Sequence, residues 1–332
     1  VEIEAFAMSA YESSLAVRAA WLHYVGGLTQ SAVAKRLGIP SVKAHRLIAR
    51  AVAEGVVKVS IEGEIAECAN LEMELCTRFG LNYCEVAPEI DGDDGLALTT
   101  LSHVGGRFLR REIETGESKV IGFGHGRTLS AAVRQMPRIS ASGKTFVSLL
   151  GGLTRNYAAN PHDVMHRLAE KTGTQAYVMP VPFFANSEED RDVFLAQRGV
   201  REIFQLASSA DLKIVGIGSV DADAHLFKSG MLERQEVEEI AALGGVGELL
   251  GHFFDSRGRI LQTSVTARTL AAPLSDAAED RLVAIAGGPM KTAAISAVLH
   301  SNKLHGLITD EATAKALLGR QENAREKSKE IT

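Results

Sequence analysis

No apolar run in this sequence approaches the roughly 18 residues that a membrane-crossing helix needs. A charged-then-apolar leader of the secretory kind is also missing from the first residues, so the expectation is a cytoplasmic protein. Cysteine is scarce: Cys68, Cys76 and Cys84 are the three in 332 residues, an odd number without C-x-x-C spacing. That excludes a disulfide framework and argues for reduced thiols. Net charge is small, −5, so the whole molecule is not a general polyanion binder. Internal repeats, a complete nucleotide-hydrolysing P-loop and a G-x-S-x-G nucleophile turn are all lacking. What remains is a chain of ordinary composition, 45% hydrophobic and 23% charged, long enough for about two globular domains.

The little net charge there is sits unevenly. Between Ser13 and Ser60 stand seven basic residues (Arg18, Lys35, Arg36, Lys43, Arg46, Arg50 and Lys58) against one acid, Glu54. This segment therefore carries +6 and leaves −11 to the rest. A short basic segment on a large acidic remainder points to a small module that meets phosphate backbone. A solvated helical face would carry the same charge, and only pattern separates the two.

Ser14 to Val25 reads as an amphipathic helix, with Leu15, Ala19, Leu22 and Val25 near helical spacing and Gly26-Gly27 ending it. Thr29 can cap a second helix running through Val33, Ala34 and Leu37. Gly38 suits a left-handed turn, and after Ile39-Pro40-Ser41 a third helix runs through Leu47 and Ile48 to about Glu54. Small Ala34 at the crossing and apolar neighbours on both sides complete a helix-turn-helix. Its third helix presents Ser41, Val42, Lys43, His45, Arg46 and Arg50 outward, where a recognition helix meets base edges and phosphates. Gly55 to Gly63 alternates apolar and polar residues, as a short β-wing would. A helical hairpin that merely dimerises the chain is the competing reading. It does not explain why packing residues, turn glycine and outward charge coincide.

Beyond Glu64 the pattern changes. A helix from Cys68 to Phe79-Gly80 precedes seven apolar, strand-like runs: Tyr83 to Ala87, Lys119 to Phe123, Thr145 to Leu150, Ala176 to Val181, Lys213 to Ile217, Arg281 to Ala286 and His305 to Thr309. Helical stretches separate most of them: Leu96 to Glu114, Thr128 to Gln135, Asp163 to Lys171, Glu233 to Leu243 and Thr292 to Leu299. This alternation predicts an α/β domain, Rossmann-like, with a largely parallel sheet and helices on both faces. The expected domains are 1–63, 64–320 and a disordered charged tail over 321–332.

Four strand-like runs end in glycine: Gly122-Phe123-Gly124-His125-Gly126-Arg127-Thr128, Gly151-Gly152, Gly216-Ile217-Gly218-Ser219 and Gly287-Gly288-Pro289-Met290-Lys291. Carboxyl ends of parallel strands, with helix N-termini behind them, are where open α/β sheets hold anions. Arg127, Thr128 and Lys291 add a guanidinium, a hydroxyl and an ammonium at two helix starts. Arg127 stands where a dinucleotide fingerprint needs its third glycine, so the ligand is a small anion and not a dinucleotide. His162-Asp163-Val164-Met165-His166 has the spacing of a zinc-protease helix, but Asp is shorter than the required base and no third ligand is evident. Asp255-Ser256-Arg257-Gly258 reads as a turn. Nothing in these patterns calls for catalytic residues, a metal or a cofactor.

In order and spacing, the chain from about Ser14 to Leu318 resembles the SorC/DeoR-type sugar-binding transcriptional regulators. The resemblance is carried by Gly27-Leu28-Thr29-Gln30 with Val33-Ala34-Lys35-Arg36-Leu37-Gly38; Val120-Ile121-Gly122 through Gly126-Arg127-Thr128-Leu129; Val215-Gly216-Ile217-Gly218; Gly245-Val246-Gly247-Glu248 with Phe253-Phe254-Asp255; Ala286-Gly287-Gly288 with Lys291; and Leu307-Ile308-Thr309-Asp310-Glu311. Within the family, Ala19-Ala20-Trp21-Leu22-His23-Tyr24 and the run from Val42 to Ala51 are most similar to repressors of erythritol catabolism.

The resemblance implies a winged helix-turn-helix followed by a sugar-phosphate isomerase/CoA-transferase-like domain that binds an effector without turning it over. It implies a homotetramer on double-stranded operator DNA, with Thr29 and Gln30 joining the third helix at the interface. It also implies an effector pocket of Gly124, His125, Gly126, Arg127 and Thr128 facing phosphate, Asn160 and Glu248 meeting hydroxyls, and Lys228 and Lys291 as cations. Two departures stand out: Pro40-Ser41 replaces the family's Ser-Arg, shifting weight to Lys43, His45 and Arg46, and Glu248 replaces a commoner Asp. Arg127 would oversupply charge to an unphosphorylated polyol, which favours a phosphorylated sugar or polyol effector. On this reading the output is repression, and effector binding reorients paired N-terminal modules. The rival function is a sugar-phosphate isomerase-like enzyme whose N-terminal helices serve only assembly.

Overall fold

The computed structural model describes residues 12, 14–53, 55–57, 66–89, 94–153, 163–220, 225–228, 230–276 and 280–319. The expected wing from Lys58 to Gly63, Asn160, His162, the Lys228 side chain and the tail from Gln321 lie outside the described residues. The chain divides into two compact units, Val1–Gly63 and Glu64–Thr332.

In the first unit, helix α1 (14–20) runs into a π turn, Trp21–Val25, closed by the Gly26 N–H donating to the Trp21 carbonyl at 3.0 Å. Helices α2 (Gln30–Leu37) and α3 (Ser41–Ala53) follow. Thr29 caps α2 by accepting from the Ala32 N–H at 3.3 Å. Gly38 ends it with φ 67° and ψ 33°, a left-handed conformation in which glycine alone avoids the Cβ penalty. Among the described residues, six of the ten buried side chains of this core are alanine (16, 19, 20, 34, 44 and 51), which lets the helices approach closely; the others are Leu22, Val33, Leu47 and Ile48. Val25, expected on the apolar face, is 69% exposed. The wider π turn advances fewer degrees per residue than an α turn, and so carries Val25 off the core side.

The second unit opens with α4 (Ala66–Phe79) and then builds one seven-stranded sheet. Its strands are β1 (Tyr83–Ala87), β2 (Val120–Phe123), β3 (Thr145–Gly152), β4 (Ala176–Pro182), β5 (Leu212–Val215), β9 (Leu282–Ile285) and β10 (Gly306–Asp310), in the order β1-β10-β9-β5-β2-β3-β4. Every pairing in it is parallel. Alternate residues of each strand feed two cores, as a period of two demands. Ile121, Phe123, Phe146, Ile214, Val283, Ile285 and Ile308 pack under α5 (Asp94–Glu114), α6 (Arg127–Gln135) and α7 (Val164–Thr172). On the other face Val147, Leu149, Val215, Leu282, Ala284 and Leu307 join α4, α9 (Arg198–Ser208), α13 (Thr292–His300) and α14 (Glu311–Leu317). Between these lie the shorter helices α8 (Glu188–Ala196), α10 (His225–Lys228), α11 (Arg234–Ala242) and α12 (Ser264–Ala267).

Three further strands, β6 (Gly218–Ser219), β7 (Gly245–Leu249) and β8 (His252–Asp255), form a small antiparallel sheet that the sequence reading does not foresee. The turn after β8 is as expected, with Gly258 at φ 80°. The fifth run is shorter than expected: β5 ends at Val215, and Ile217 is buried outside it. Two of the four glycine pairs are structural. A side chain at Gly151 would strike the Pro182 carbonyl where β3 and β4 change register. The Gly288 N–H donates to Asp310 Oδ2 at 2.8 Å and Thr313 Oγ1 at 2.9 Å, so that turn is closed from within.

Candidate functional site

Strand order places the site. From β2 the chain steps outward through β3 to β4, then returns to lay β5 on the opposite side of β2 and steps the other way to β9. The two connections leave in opposite directions, and a crevice opens beyond the carboxyl ends of β2 and β5. A pocket with an empty volume of ≈ 750 Å³, including the part open to solvent, occupies that crevice.

Two strand ends form its walls. After β2, Gly124 donates its N–H to the Ile214 carbonyl at 2.8 Å, and Gly126, at φ 124° and ψ 164°, turns the chain into α6. Arg127 and Thr128 are the first two residues of that nine-residue helix, the guanidinium exposed and the hydroxyl buried, so its unpaired N–H end and positive dipole face the pocket. After β5, Val215 to Ser219 make the facing wall, with Leu226 and Leu250 closing it apolarly. Gly218 lacks a side chain because Glu248 lies against it, 2.5 Å from where a Cβ would be.

Glu248 comes from β7 and Lys291 from the turn before α13. The Glu248 carboxylate is buried and accepts the Gly251 N–H at 2.7 Å. Burial pushes its pKa up from 4.5 to about 7, opposed by that hydrogen bond and by Lys291. Lys291 Nζ donates to the Ile217 carbonyl at 2.9 Å, which holds the ammonium at the pocket edge. His125 stacks edge-on to Phe183, with ring centroids 5.7 Å apart. The arrangement thus has helix amides and two cations for an anion, beside one buried carboxyl group that can accept from hydroxyls. Among the described residues no group of three or more His, Cys, Asp and Glu is placed to hold a metal ion.

Seven of the nine anticipated effector residues, Gly124, His125, Gly126, Arg127, Thr128, Glu248 and Lys291, line this one pocket. The structure brings in Leu226 and Leu250, which sequence reasoning missed, and Val215 to Ser219, which it noticed as a family motif and a glycine-rich strand end but did not assign to the effector. Elsewhere two patterns resolve structurally. Asp163 caps α7, accepting the His166 N–H at 3.1 Å, so it is no catalytic base on that helix. Gly143-Lys144-Thr145, which matches the end of a P-loop but has Arg138 in place of its first glycine, leads into the amino end of β3, where Lys144 Nζ donates to the Gly116 and Ser118 carbonyls at 2.5 and 2.8 Å.

On α3, Ser41, Val42, His45 and Arg46 are exposed. Lys43 and Arg50 are half-buried and pair with Glu12 at 3.9 and 3.5 Å. Gln30 at the start of α2 reaches across to α3, its Oε1 3.1 Å from His45 Nδ1. Thr29 sits beside it, exposed, with its hydroxyl oxygen engaged as the cap.

A family described as "Putative sugar-binding domain" matches residues 63–319. The erythritol catabolism regulatory protein EryD of Brucella abortus is 65% identical over 312 residues, covering 94% of this chain and 98% of that protein. The transcriptional regulator LsrR of Klebsiella pneumoniae is 31% identical over 312 residues, 92% of this chain and 93% of its own length. Among solved structures, the full-length sorbitol operon regulator SorC from Klebsiella pneumoniae superposes with a TM-score of 0.71 at 25% identity, covering 92% of this chain and 98% of that one.

Proposed function

We propose, from the premise that this chain belongs to the sugar-binding domain family of SorC/DeoR-type transcriptional regulators, that it is a DNA-binding regulator of a sugar or polyol catabolic operon and not an enzyme. Its effector is a small phosphorylated sugar or polyol, and its output is repression. One observation carries the reading: a single crevice at the β2/β5 switch gathers a helix N-terminus, Arg127, Lys291 and a buried carboxyl group, in a chain whose other unit is a helix-turn-helix. Phosphate meets Gly126, Arg127 and Thr128, as anions do at helix starts, while Glu248 accepts from effector hydroxyls. Asn160 and Lys228 complete the effector contacts in this reading.

Paired helix-turn-helix units of a homotetramer hold double-stranded operator DNA through Thr29, Gln30, Ser41, Val42, Lys43, His45, Arg46 and Arg50. Effector binding alters the spacing of those units; a coupling of about 1–3 kcal/mol changes operator occupancy from severalfold to a hundredfold. The relative named for erythritol catabolism makes tetritol phosphates the first probes. Melting is followed with phosphorylated tetritols, pentoses and hexoses beside the free polyols. A phosphorylated compound is expected to raise the melting temperature and to release operator DNA in a gel shift. Combining Arg127→Ala with Thr128→Val abolishes both responses and leaves operator binding intact. A double variant still released by the compound moves the effector site elsewhere.

A further inference from the structure

Helix α4 meets β1 along one seam, and two of the three cysteines lie on it. The helix turns directly into the strand through Gly80, at φ 66°, so the two run antiparallel. Glu72 fixes the seam: its Oε1 accepts the Val86 N–H at 2.8 Å. One helical turn on from Glu72 is Cys76, an advance of about 6 Å on the same face. Two residues back from Val86 is Cys84, a retreat of about 6.6 Å on the same face of the strand. Equal steps in opposite chain directions bring Cys76 over Cys84; both pack against the same apolar core, and each is the leading influence on the other's ionisation. Both are partly exposed. Cys68 is different: it is buried two turns earlier on α4, its Sγ 4.0 Å from Glu311 Oε2.

We propose that Cys76 and Cys84 form a dithiol oxidation site, which a peroxide closes into a disulfide between α4 and β1 of one subunit. The Cys76 thiolate attacks one peroxide oxygen, breaking the O–O bond to give the sulfenic acid and hydroxide, which takes up the proton Cys76 released. The Cys84 sulfur then displaces the sulfenic oxygen, which leaves as a second water with the Cys84 proton. Two thiols lose two electrons in all, and one peroxide gains them. The order of events follows from the pair's own chemistry. The neighbouring Cys84 lowers the Cys76 pKa, which favours Cys76 as the attacking thiolate, while Cys76, burial and the Glu72 and Glu85 carboxylates push Cys84 up, so that it keeps its proton until the second step. Burial and the carboxylates of Glu311, Glu72 and Glu67 raise Cys68 to about 11, which keeps that thiol unreactive.

The test uses the full-length protein, reduced, freed of reductant and then exposed to hydrogen peroxide at neutral pH. Titratable thiols should fall from three to one with a mass loss of about 2 Da, and peptide mapping without reductant should join the Cys76 and Cys84 peptides. Dithiothreitol should restore all three. Cys84→Ser should stop at a sulfenic acid on Cys76 that dimedone traps. Persistence of three thiols after peroxide, a linkage between subunits, or a bridge that includes Cys68 would each overturn the proposal. The wild-type mapping decides the matter even if the variant fails to fold.

Discussion

Replacing Glu248 by glutamine should make the protein more stable above neutrality and flatten its response to pH. The carboxyl group is 6% exposed, and its pKa rises from 4.5 to about 7 because burial disfavours the charged form. In the unfolded chain the same group titrates near its ordinary value. Between those two values the native state binds the proton and the unfolded state does not, so stability falls as pH rises through the window. At 1.36 kcal/mol per tenfold difference in proton affinity, the loss amounts to about 3 kcal/mol once pH exceeds about 8. The glutamine side chain cannot ionise, yet its amide oxygen can still accept the Gly251 N–H now bonded at 2.7 Å. Urea melts of both proteins at pH 5.5, 7 and 8.5 measure this directly. The difference in unfolding free energy should swing toward the variant by about 2 kcal/mol from the lowest to the highest pH, the remainder of the loss falling below pH 5.5. Parallel curves would mean that Glu248 titrates alike in both states, and the account of its burial would be wrong.

Two other substitutions test separate parts of the structure. Lys213 on β5 and Asp280 form a buried pair at 2.6 Å, with side chains 3% and 6% exposed, so Lys213→Met should cost about 3–5 kcal/mol in a urea melt by stranding a carboxylate. Removing both charges as Lys213→Met with Asp280→Leu should recover much of that loss; equal damage would point to side-chain volume as the cause. On α3, Arg46→Ala should weaken operator binding by about 1–3 kcal/mol in a gel-shift titration, and unchanged affinity would remove that side chain from the interface.

Much of the second unit is legible from local pattern because its sheet is buried on both faces. Strands such as Leu282–Ile285 and Gly306–Asp310 are uninterrupted buried runs, and that continuity marks them without knowledge of their neighbours. Helix-turn-helix residues are equally local: Thr29 and Gly38 each perform a conformational task within a few residues of themselves. The strands Gly245–Leu249 and His252–Asp255 escape this reading, since short glycine-containing segments at an antiparallel turn carry little periodic signal.

The glycine turn from Gly122 to Thr128 could be recognised alone, and so could two other glycine pairs that prove to be structural. Which pair lines a pocket depends on which strand lies beside β2. The sequence therefore determined the elements, the basic helix pair and the anion-suited turn, all set by interactions between residues close along the chain. Tertiary structure alone decided that β5 returns beside β2, and with it that Glu248, Lys291 and Ser219 face Thr128 across one crevice. Strand order is a choice among long-range pairings of near-equal local strength, settled only when both helical layers close over the whole sheet.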